Sequence, residues 1–80
     1  MENLGYKYDL ELDARELDCP LPVLKTKKAL NALLSGQVLC VRATDPGSVR
    51  DFQAFSKQTG HLLISSKEAD GEFIFALKKK

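Results

Sequence analysis

Residues 19–22 read Cys19-Pro20-Leu21-Pro22, a thiol followed by two prolines at alternate positions. Proline is tolerated in the first turn of a helix, where the backbone N–H groups have no partner within the helix, but it disrupts the helix further in. The motif therefore predicts a helix that begins at these residues, with Cys19 at or near its N-cap.

The segments on either side of the motif have different hydrophobic periods. Residues 6–13 alternate apolar and charged side chains, a period of two that predicts a strand with one buried face. After the motif, apolar residues recur at roughly helical spacing as far as a stop at Ser35-Gly36, namely Val23, Leu24, Leu30, Leu33 and Leu34. Cys19 is therefore expected in the connection from a strand to a helix.

A second unit of the same kind follows. Residues 37–44 form an apolar stretch that predicts a strand, with Leu39, Val41 and Ala43 on one face and Val38, Cys40 and Arg42 on the other. Asp45 is most simply the N-cap of a second helix, whose apolar stripe of Val49, Phe52 and Phe55 stops at Thr59-Gly60. Residues 62–67 and 73–77 are expected to form two further strands around a turn at Ala69-Asp70-Gly71.

The predicted order is βαβαββ. A strand–helix–strand crossover lays its helix on the sheet with a right-handed turn, so both helices are expected on one face of a four-stranded mixed sheet. The expected fold is thus an α/β two-layer sandwich that forms one domain over residues 1–80. Cys19 would then lie beyond the carboxyl end of the first strand, where ligands of open α/β sheets gather.

Composition and charge limit the partners and cofactors that the chain can be expected to have. The 80 residues include 12 basic and 11 acidic side chains, but residues 1–18 hold six acids against two bases, a local charge of −4 that could orient a protein partner. Two cysteines 21 positions apart and one histidine do not form a metal framework, so no metal and no cofactor are expected. The apolar runs are too short to span a bilayer, and we expect a soluble, cytoplasmic monomer.

The chemistry expected at Cys19 is modest activation of an accessible thiol. A helix N-terminus lowers the pKa of a thiol by less than about one unit, while Glu16 and Asp18 act in the opposite direction and the prolines remove N–H donors. This favours a thiol that carries a group and releases it, although Cys19 as a small buried residue under the helix is an open alternative. Cys40, placed on the open sheet face, and His61 are expected to be structural.

The block Leu12-Asp13-Ala14-Arg15-Glu16-Leu17-Asp18-Cys19-Pro20-Leu21-Pro22 resembles the opening of the TusA/SirA-like sulfur carrier family, whose hallmark is a CPxP motif. Later landmarks also match in order and spacing: Thr44-Asp45-Pro46-Gly47-Ser48, Asp51, Phe52, Thr59-Gly60-His61 and a closing hairpin. The likeness covers residues 10 to 78. Two departures are Glu16, where the family commonly has glycine, and Leu21, where some members have an acidic residue.

The resemblance implies a sulfurtransferase. Cys19 would be the catalytic residue, which accepts sulfane sulfur as a persulfide from a donor protein and passes it to an acceptor protein, with Pro20 and Pro22 supporting the motif. The donor would be a cysteine desulfurase or a rhodanese-like protein. The resemblance also makes Lys27 and Lys28 donor contacts and places Asp45 near the donor-binding surface.

Two other functions remain open at this point. Two-layer folds of this size also bind RNA or act as regulators, and fold alone does not decide between these functions. Against direct binding of nucleic acid, the net charge is only +1 and no basic patch is interleaved with aromatic residues. A peroxide sensor would need a low thiol pKa and a resolving cysteine, for which Cys40 is the one internal candidate.

Overall fold

The computed structural model describes residues 8–18 and 21–80. The elements within them are strand β1 (Leu10–Ala14), helix α1 (Leu21–Asn31), strand β2 (Val38–Ala43), helix α2 (Ser48–Thr59), strand β3 (Leu62–Ala69) and strand β4 (Glu72–Lys78). Tyr6 and Lys7, at the start of the first predicted strand, lie outside the described residues. The βαβαββ order predicted from the sequence is confirmed.

The four strands form one mixed sheet in the order β1-β2-β4-β3. Strand β1 pairs in parallel with β2, from Leu10 opposite Leu39 to Ala14 opposite Ala43. Strand β4 is antiparallel to β3, to which a hairpin joins it, and also to β2. Strands β2 and β3, which the α2 crossover connects, are therefore parallel to each other. The carboxyl ends of β1 and β2 therefore lie at the same edge of the sheet.

Both helices pack on one face of this sheet. The main core joins Leu30 of α1 and Phe52 and Phe55 of α2 to the inward face of the strands, which contributes Ala14, Leu39, Val41, Ala43, Phe75 and Leu77. The ring of Phe52 lies 4.4 Å from that of Phe75, so α2 is held to the centre of the sheet by aromatic packing. The two-layer sandwich expected from the sequence is the observed fold.

Helix α1 buries only part of the predicted stripe: Leu30 is fully buried, and Val23 and Leu33 pack against the core. Its fully buried positions are Pro22, Thr26 and Leu30, spaced four residues apart, whereas Leu24 is 54% exposed. The helix ends at Asn31, four residues before the expected stop, because its last carbonyls accept short i→i+3 hydrogen bonds from Ala32 and Leu33. Leu34 then lies outside the helix and is 73% exposed.

The C-terminal residues close the end of α1. The Nζ of Lys79 donates to the carbonyl of Leu30 at 2.8 Å, and the backbone of Lys79 exchanges hydrogen bonds with Gly36 and Gln37. A lysine at a helix C-terminus satisfies a free carbonyl and complements the negative end of the dipole. Lys79 thus has a structural role at the end of α1.

The hairpin between β3 and β4 turns at Asp70 and Gly71, with Ala69 opposite Glu72. Both central residues have positive φ, 52° and 77°, as the two-residue turn that matches strand twist requires. Glycine and aspartate tolerate this region better than most residues, so the Asp-Gly pair explains the register of the hairpin.

Thr26 is an unusual core residue, and removal of its hydroxyl should stabilise the fold. The side chain is fully buried, and its Oγ1 makes no hydrogen bond within the part of the chain that the structure describes. Because a buried unsatisfied hydroxyl is costly, Thr26→Val is expected to raise the free energy of unfolding by about 1 kcal/mol in urea titrations.

Thr59→Val is the matched control for this prediction. Its Oγ1 donates to the carbonyl of Phe55 at 2.7 Å and accepts from the N–H of His61 at 3.3 Å. This variant should lose stability. Equal losses from the two substitutions would contradict the interpretation of Thr26.

Candidate functional site

The predicted catalytic residue Cys19 and its neighbour Pro20 lie outside the described residues. A hydrogen bond joins the residues on either side of them: the N–H of Leu21 donates to the carbonyl of Asp18 at 2.8 Å. Helix α1 begins at Leu21, and Pro22 is its second residue, fully buried in the first turn. Pro22 is thus at a position where proline costs the helix no hydrogen bond.

The chain on the N-terminal side of Cys19 is fastened to the loop after β2. Ala14 and Ala43, at the ends of two parallel strands, are paired in the register. Just beyond them, the N–H of Glu16 donates to the Oγ1 of Thr44 at 2.8 Å. The connection that leads to Cys19 and the loop that contains Asp45 are therefore neighbours at one edge of the sheet.

A charged brace, a set of ion pairs between neighbouring strands, lies at the same edge of the sheet. The guanidinium of Arg15 donates to both carboxylate oxygens of Asp13, each at 2.9 Å, and reaches Glu72 at 3.3 Å. Glu72 also accepts from Arg42 at 3.3 Å. The hydrogen bonds from Arg15 lower the pKa of Asp13 to about 2. The Asp13-Ala14-Arg15 segment thus links the connection before Cys19 to the start of β4.

Glu16 adopts a left-handed backbone conformation, with φ of +65°. This region is unfavourable for a residue with a Cβ and free of that cost for glycine. The position is the one where the resemblance noted above has glycine, so the departure places strain in the connection to Cys19. The hydrogen bond from its N–H to Thr44 holds this conformation.

Asp45 does not cap α2 with its side chain, contrary to the expectation from the sequence. The N-cap position is occupied by Gly47, which has no side chain to accept a hydrogen bond from the first turn of the helix. Asp45 instead accepts through its backbone carbonyl, from the N–H of Ser48 at 3.0 Å and the hydroxyl of Ser48 at 2.6 Å. Its Oδ2 is buried and has no hydrogen-bond partner among the described residues.

The outer surface of α1 combines cations with exposed apolar side chains. Lys27 and Lys28 are both exposed, and no ion pair to either occurs within residues 8–18 and 21–80. Leu21 and Leu24, one turn apart at the start of the helix, are 46% and 54% exposed. The sequence pattern grouped Leu24 with the apolar stripe of the helix, and this exposed pair was not predicted. Its spacing from Pro22 and Thr26 is the signal that would have placed Leu24 on the outer face.

The other thiol, Cys40, is in a different environment. It lies on the sheet face opposite the helices, as expected, but it is only 2% exposed and packs with Ile74 and Ala76. Its place on the open sheet face does not leave Cys40 accessible, because neighbouring side chains cover it, and this burial agrees with the structural role expected from the sequence. Burial raises the pKa of the Cys40 thiol, and the charge of Glu11 adds to the rise.

His61 lies at the opposite edge of the sheet from the connection to Cys19. It precedes Leu62, which pairs with Lys78 at the end where β2 begins. Its Nδ1 accepts from the backbone N–H of Lys80 at 3.1 Å, and its ring stacks on Phe55. Desolvation lowers the pKa of His61, and Lys79 and Lys80 lower it further. These contacts give His61 a structural role.

The described residues offer no grouping of histidine, cysteine, aspartate or glutamate that could hold a metal ion. In the same part of the chain, neither helix has the length and apolar character needed to cross a membrane.

The fold places the chain among small two-layer α/β domains in which a Cys-Pro-Leu-Pro motif leads into the first helix. Residues 10–79 match the family described as Sulfurtransferase TusA, and the chain belongs to this family.

Its relatives include curated proteins and a solved structure. The sulfur carrier protein TusA of Allochromatium vinosum is 64% identical over 72 residues, which cover 90% of this chain and 95% of that protein. The protein of the same name from Pseudomonas entomophila is 40% identical over 73 residues, or 91% of each chain. The crystal structure of a SirA-like protein from Desulfitobacterium hafniense superposes with a TM-score of 0.78 at 28% identity, over 88% of this chain and 96% of that one.

The brace at Arg15 predicts a pH dependence of stability. The folded pKa of Asp13 is about 2, below its ordinary value of 3.8, so its contribution to stability is full above about pH 4 and is lost as the pH falls through the folded pKa. Asp13→Asn should therefore be less stable than the wild type at neutral pH. The difference should shrink between pH 4 and pH 2 in urea titrations.

Arg15→Met supplies the control, because it removes the guanidinium and leaves the carboxylate. In that background Asp13→Asn should change stability less, and the difference should vary less with pH, because the hydrogen bond from the backbone N–H of residue 15 to Asp13 remains. A full effect of Asp13→Asn without Arg15 would contradict the assignment of the pKa shift to this pair.

Proposed function

We propose that this protein accepts sulfane sulfur as a persulfide on Cys19 and passes it to an acceptor protein, acting as a sulfurtransferase. Sulfur carriage as the general function follows from its family and from relatives that are named sulfur carrier proteins. One observation supports Cys19 in particular. Cys40, the remaining thiol of the chain, is 2% exposed and has a raised pKa, which makes it a poor nucleophile.

The proposed transfer has two balanced steps. The Cys19 thiolate attacks the terminal sulfur of a cysteine persulfide on the donor; a new S–S bond forms, the donor S–S bond breaks, and the donor thiolate leaves. An acceptor thiolate then attacks the outer sulfur on Cys19 and restores the Cys19 thiolate. Each step exchanges one S–S bond for another, so no external oxidant or reductant is required.

The described residues around the motif suit such a relay. The Asp18–Leu21 hydrogen bond, the buried Pro22 and the link from Glu16 to Thr44 fix the chain on both sides of Cys19. A rigid attachment lowers the entropy lost when two proteins bring their sulfur atoms together. The thiol then needs access for two partners in turn, and an enclosed substrate pocket would hinder that access.

The donor is proposed to dock on the outer face of α1. Lys27 and Lys28 are exposed and unpaired among the described residues, and Leu21 and Leu24 add apolar area beside the motif. We propose Asp45 as a further donor contact, because it follows Thr44, which is hydrogen-bonded to Glu16 on the connection before Cys19. A cysteine desulfurase or a rhodanese-like protein is the class of donor we propose, with a second protein as acceptor.

We further propose that the chain acts in the cytoplasm as a single-domain monomer, without membrane attachment or direct contact with nucleic acid. The alternative of an RNA-binding or regulatory module receives no support from the relatives, which are named sulfur carriers.

Persulfide transfer to Cys19 can be tested by mass spectrometry. Incubation with a cysteine desulfurase and cysteine should add the mass of one sulfur atom, and dithiothreitol should remove it by thiol exchange. Cys19→Ser should abolish the addition completely, whereas Cys40→Ser should retain it. The Cys40→Ser protein must be shown to be folded by circular dichroism, since this substitution puts a hydroxyl into a buried site.

Inorganic polysulfide serves as a second donor that needs no docking surface. An adduct on Cys40 instead of Cys19, or no adduct from either donor in the folded protein, would exclude the proposed role of Cys19.

The docking surface predicts a salt-dependent loading rate. Lys27→Glu combined with Lys28→Glu should slow loading by the desulfurase about tenfold at low ionic strength, because exposed charges steer encounter. Thermal stability should change little, since neither lysine has an ion pair among the described residues.

Lys67→Glu combined with Lys78→Glu makes the same change of charge on exposed residues of β3 and β4. This control should load at nearly the wild-type rate, and all variants should load equally from polysulfide. Equal slowing by both pairs would indicate a general effect of net charge and would remove the case for docking on α1.

A further inference from the structure

A groove runs along α2 beside the edge strand β3. The part nearer the C-terminal end of α2, about 440 Å³, is lined by Arg50, Gln53, Ala54, Ser56, Lys57 and Leu63. The part nearer the N-terminal end, about 550 Å³, is lined by Pro46, Gly47, Val49, Arg50, Asp51 and Gln53. Arg50 and Gln53 line both parts, so the two parts are adjacent along the helix.

The groove is bounded by cations and has an apolar floor. Arg50, Gln53, Ala54 and Lys57 share one face of α2, at spacings of three and four residues. Ala54 and the half-buried Leu63 of the edge strand β3 form the floor between the two cations. This surface is separate from the lysines of α1 discussed above.

Neither cation of the groove is paired within the protein. Over the described ranges, 8–18 and 21–80, the ion pairs join Arg15 or Arg42 to carboxylates, and Arg50 and Lys57 take part in none. Asp51, at the rim, is the single acidic residue in the lining of the groove. A ligand that brings two negative charges would therefore complement this surface.

From this groove we infer a second docking surface, which binds an extended acidic segment of a partner protein. The spacing supports such a ligand. Arg50 and Lys57 are seven residues apart on a helix, or about 10 Å along its axis. In an extended polyproline-type segment, residues three positions apart lie on one side and are about 9 Å apart. Two acidic residues at that spacing would meet both cations on α2. An apolar residue between them, turned about 120° around the axis of the segment, would face Leu63 on the neighbouring strand beside Ala54.

The observations favour a peptide over a nucleic acid. Two cations and one rim carboxylate are few charges for a phosphate backbone, whose binding draws on many lysine and arginine contacts. The apolar floor contains no aromatic side chain on which a base could stack. The apolar residue of an acidic peptide, by contrast, would be matched by Ala54 and Leu63.

The position of the groove relates it to the motif without depending on sulfur transfer. The end of the groove nearest the N-terminus of α2 begins at Pro46 and Gly47, in the loop that follows Thr44. Thr44 is in turn hydrogen-bonded to Glu16 on the connection to Cys19. A partner anchored along α2 would thus be held near the edge of the sheet where the motif is attached, while the outer face of α1 stays free.

Direct binding tests this inference. The probe is a fluorescein-labelled hexapeptide with two glutamates three positions apart and a leucine between them, and the control peptide has glutamine in place of both. Fluorescence anisotropy at low salt should show binding of the acidic peptide and about fivefold to tenfold weaker binding of the control. Backbone NMR shifts on titration should concentrate at Arg50, Gln53, Lys57 and Leu63.

A pair of charge-matched variants locates the site. Arg50→Gln combined with Lys57→Gln should weaken the peptide about fivefold to tenfold, and Lys67→Gln combined with Lys78→Gln should leave the affinity unchanged. The Cys19→Ser protein should bind normally, so failure of persulfide transfer and failure of this docking surface are separate results.

Three outcomes would overturn the inference. They are equal binding of the two peptides, unchanged affinity of the Arg50→Gln and Lys57→Gln variant, and shifts that concentrate on the lysines of α1. A single-stranded hexanucleotide that binds more tightly than the acidic peptide, and loses affinity in the same variant, would assign the groove to nucleic acid instead.

Discussion

The parallel pairing of β1 with β2 is the constraint on which the rest of the structure depends. Parallel strands cannot be joined by a tight turn, so the chain must cross the sheet through a helix, and α1 is that crossover. The pairing brings Ala14 and Ala43 together, and with them the two loops that follow. The connection to Cys19 thus has a neighbour to which it can be tied.

The way in which this edge is tied explains the residues before the motif. Asp13 and Arg15 are exposed, and such a pair contributes little to stability when isolated. Here it forms part of a network with Glu72 and Arg42 that joins three strands, and the N–H of Glu16 adds a bond to Thr44. The strained backbone at Glu16 lies within this network. Strain of this kind persists where the surrounding contacts hold it, as they do here.

The two cysteines illustrate how position decides the chemistry of one side-chain type. Cys40 is buried between strands, where desolvation keeps its thiol protonated and neighbouring side chains exclude a partner. Cys19 stands before a helix whose first turn is anchored by the buried Pro22 and presents Leu21 and Leu24 to the outside. The burial of Cys40 agrees with the proposed function, in which a second accessible thiol would compete with Cys19 for the persulfide.

The sequence by itself determined the order of elements, the sheet faces of β2 and the start of α1 within the motif, because these rest on local periods and on the backbone limits of proline and glycine. The resemblance in its motifs was sufficient to indicate the family. Only the tertiary structure decided that Leu34 is exposed, that Gly47 and not Asp45 is the N-cap of α2, and that Cys40 is covered. The burial of Cys40 depends on Ile74 and Ala76 of β4, which are far from it along the chain. Such long-range contacts leave no trace in the local period of the sequence.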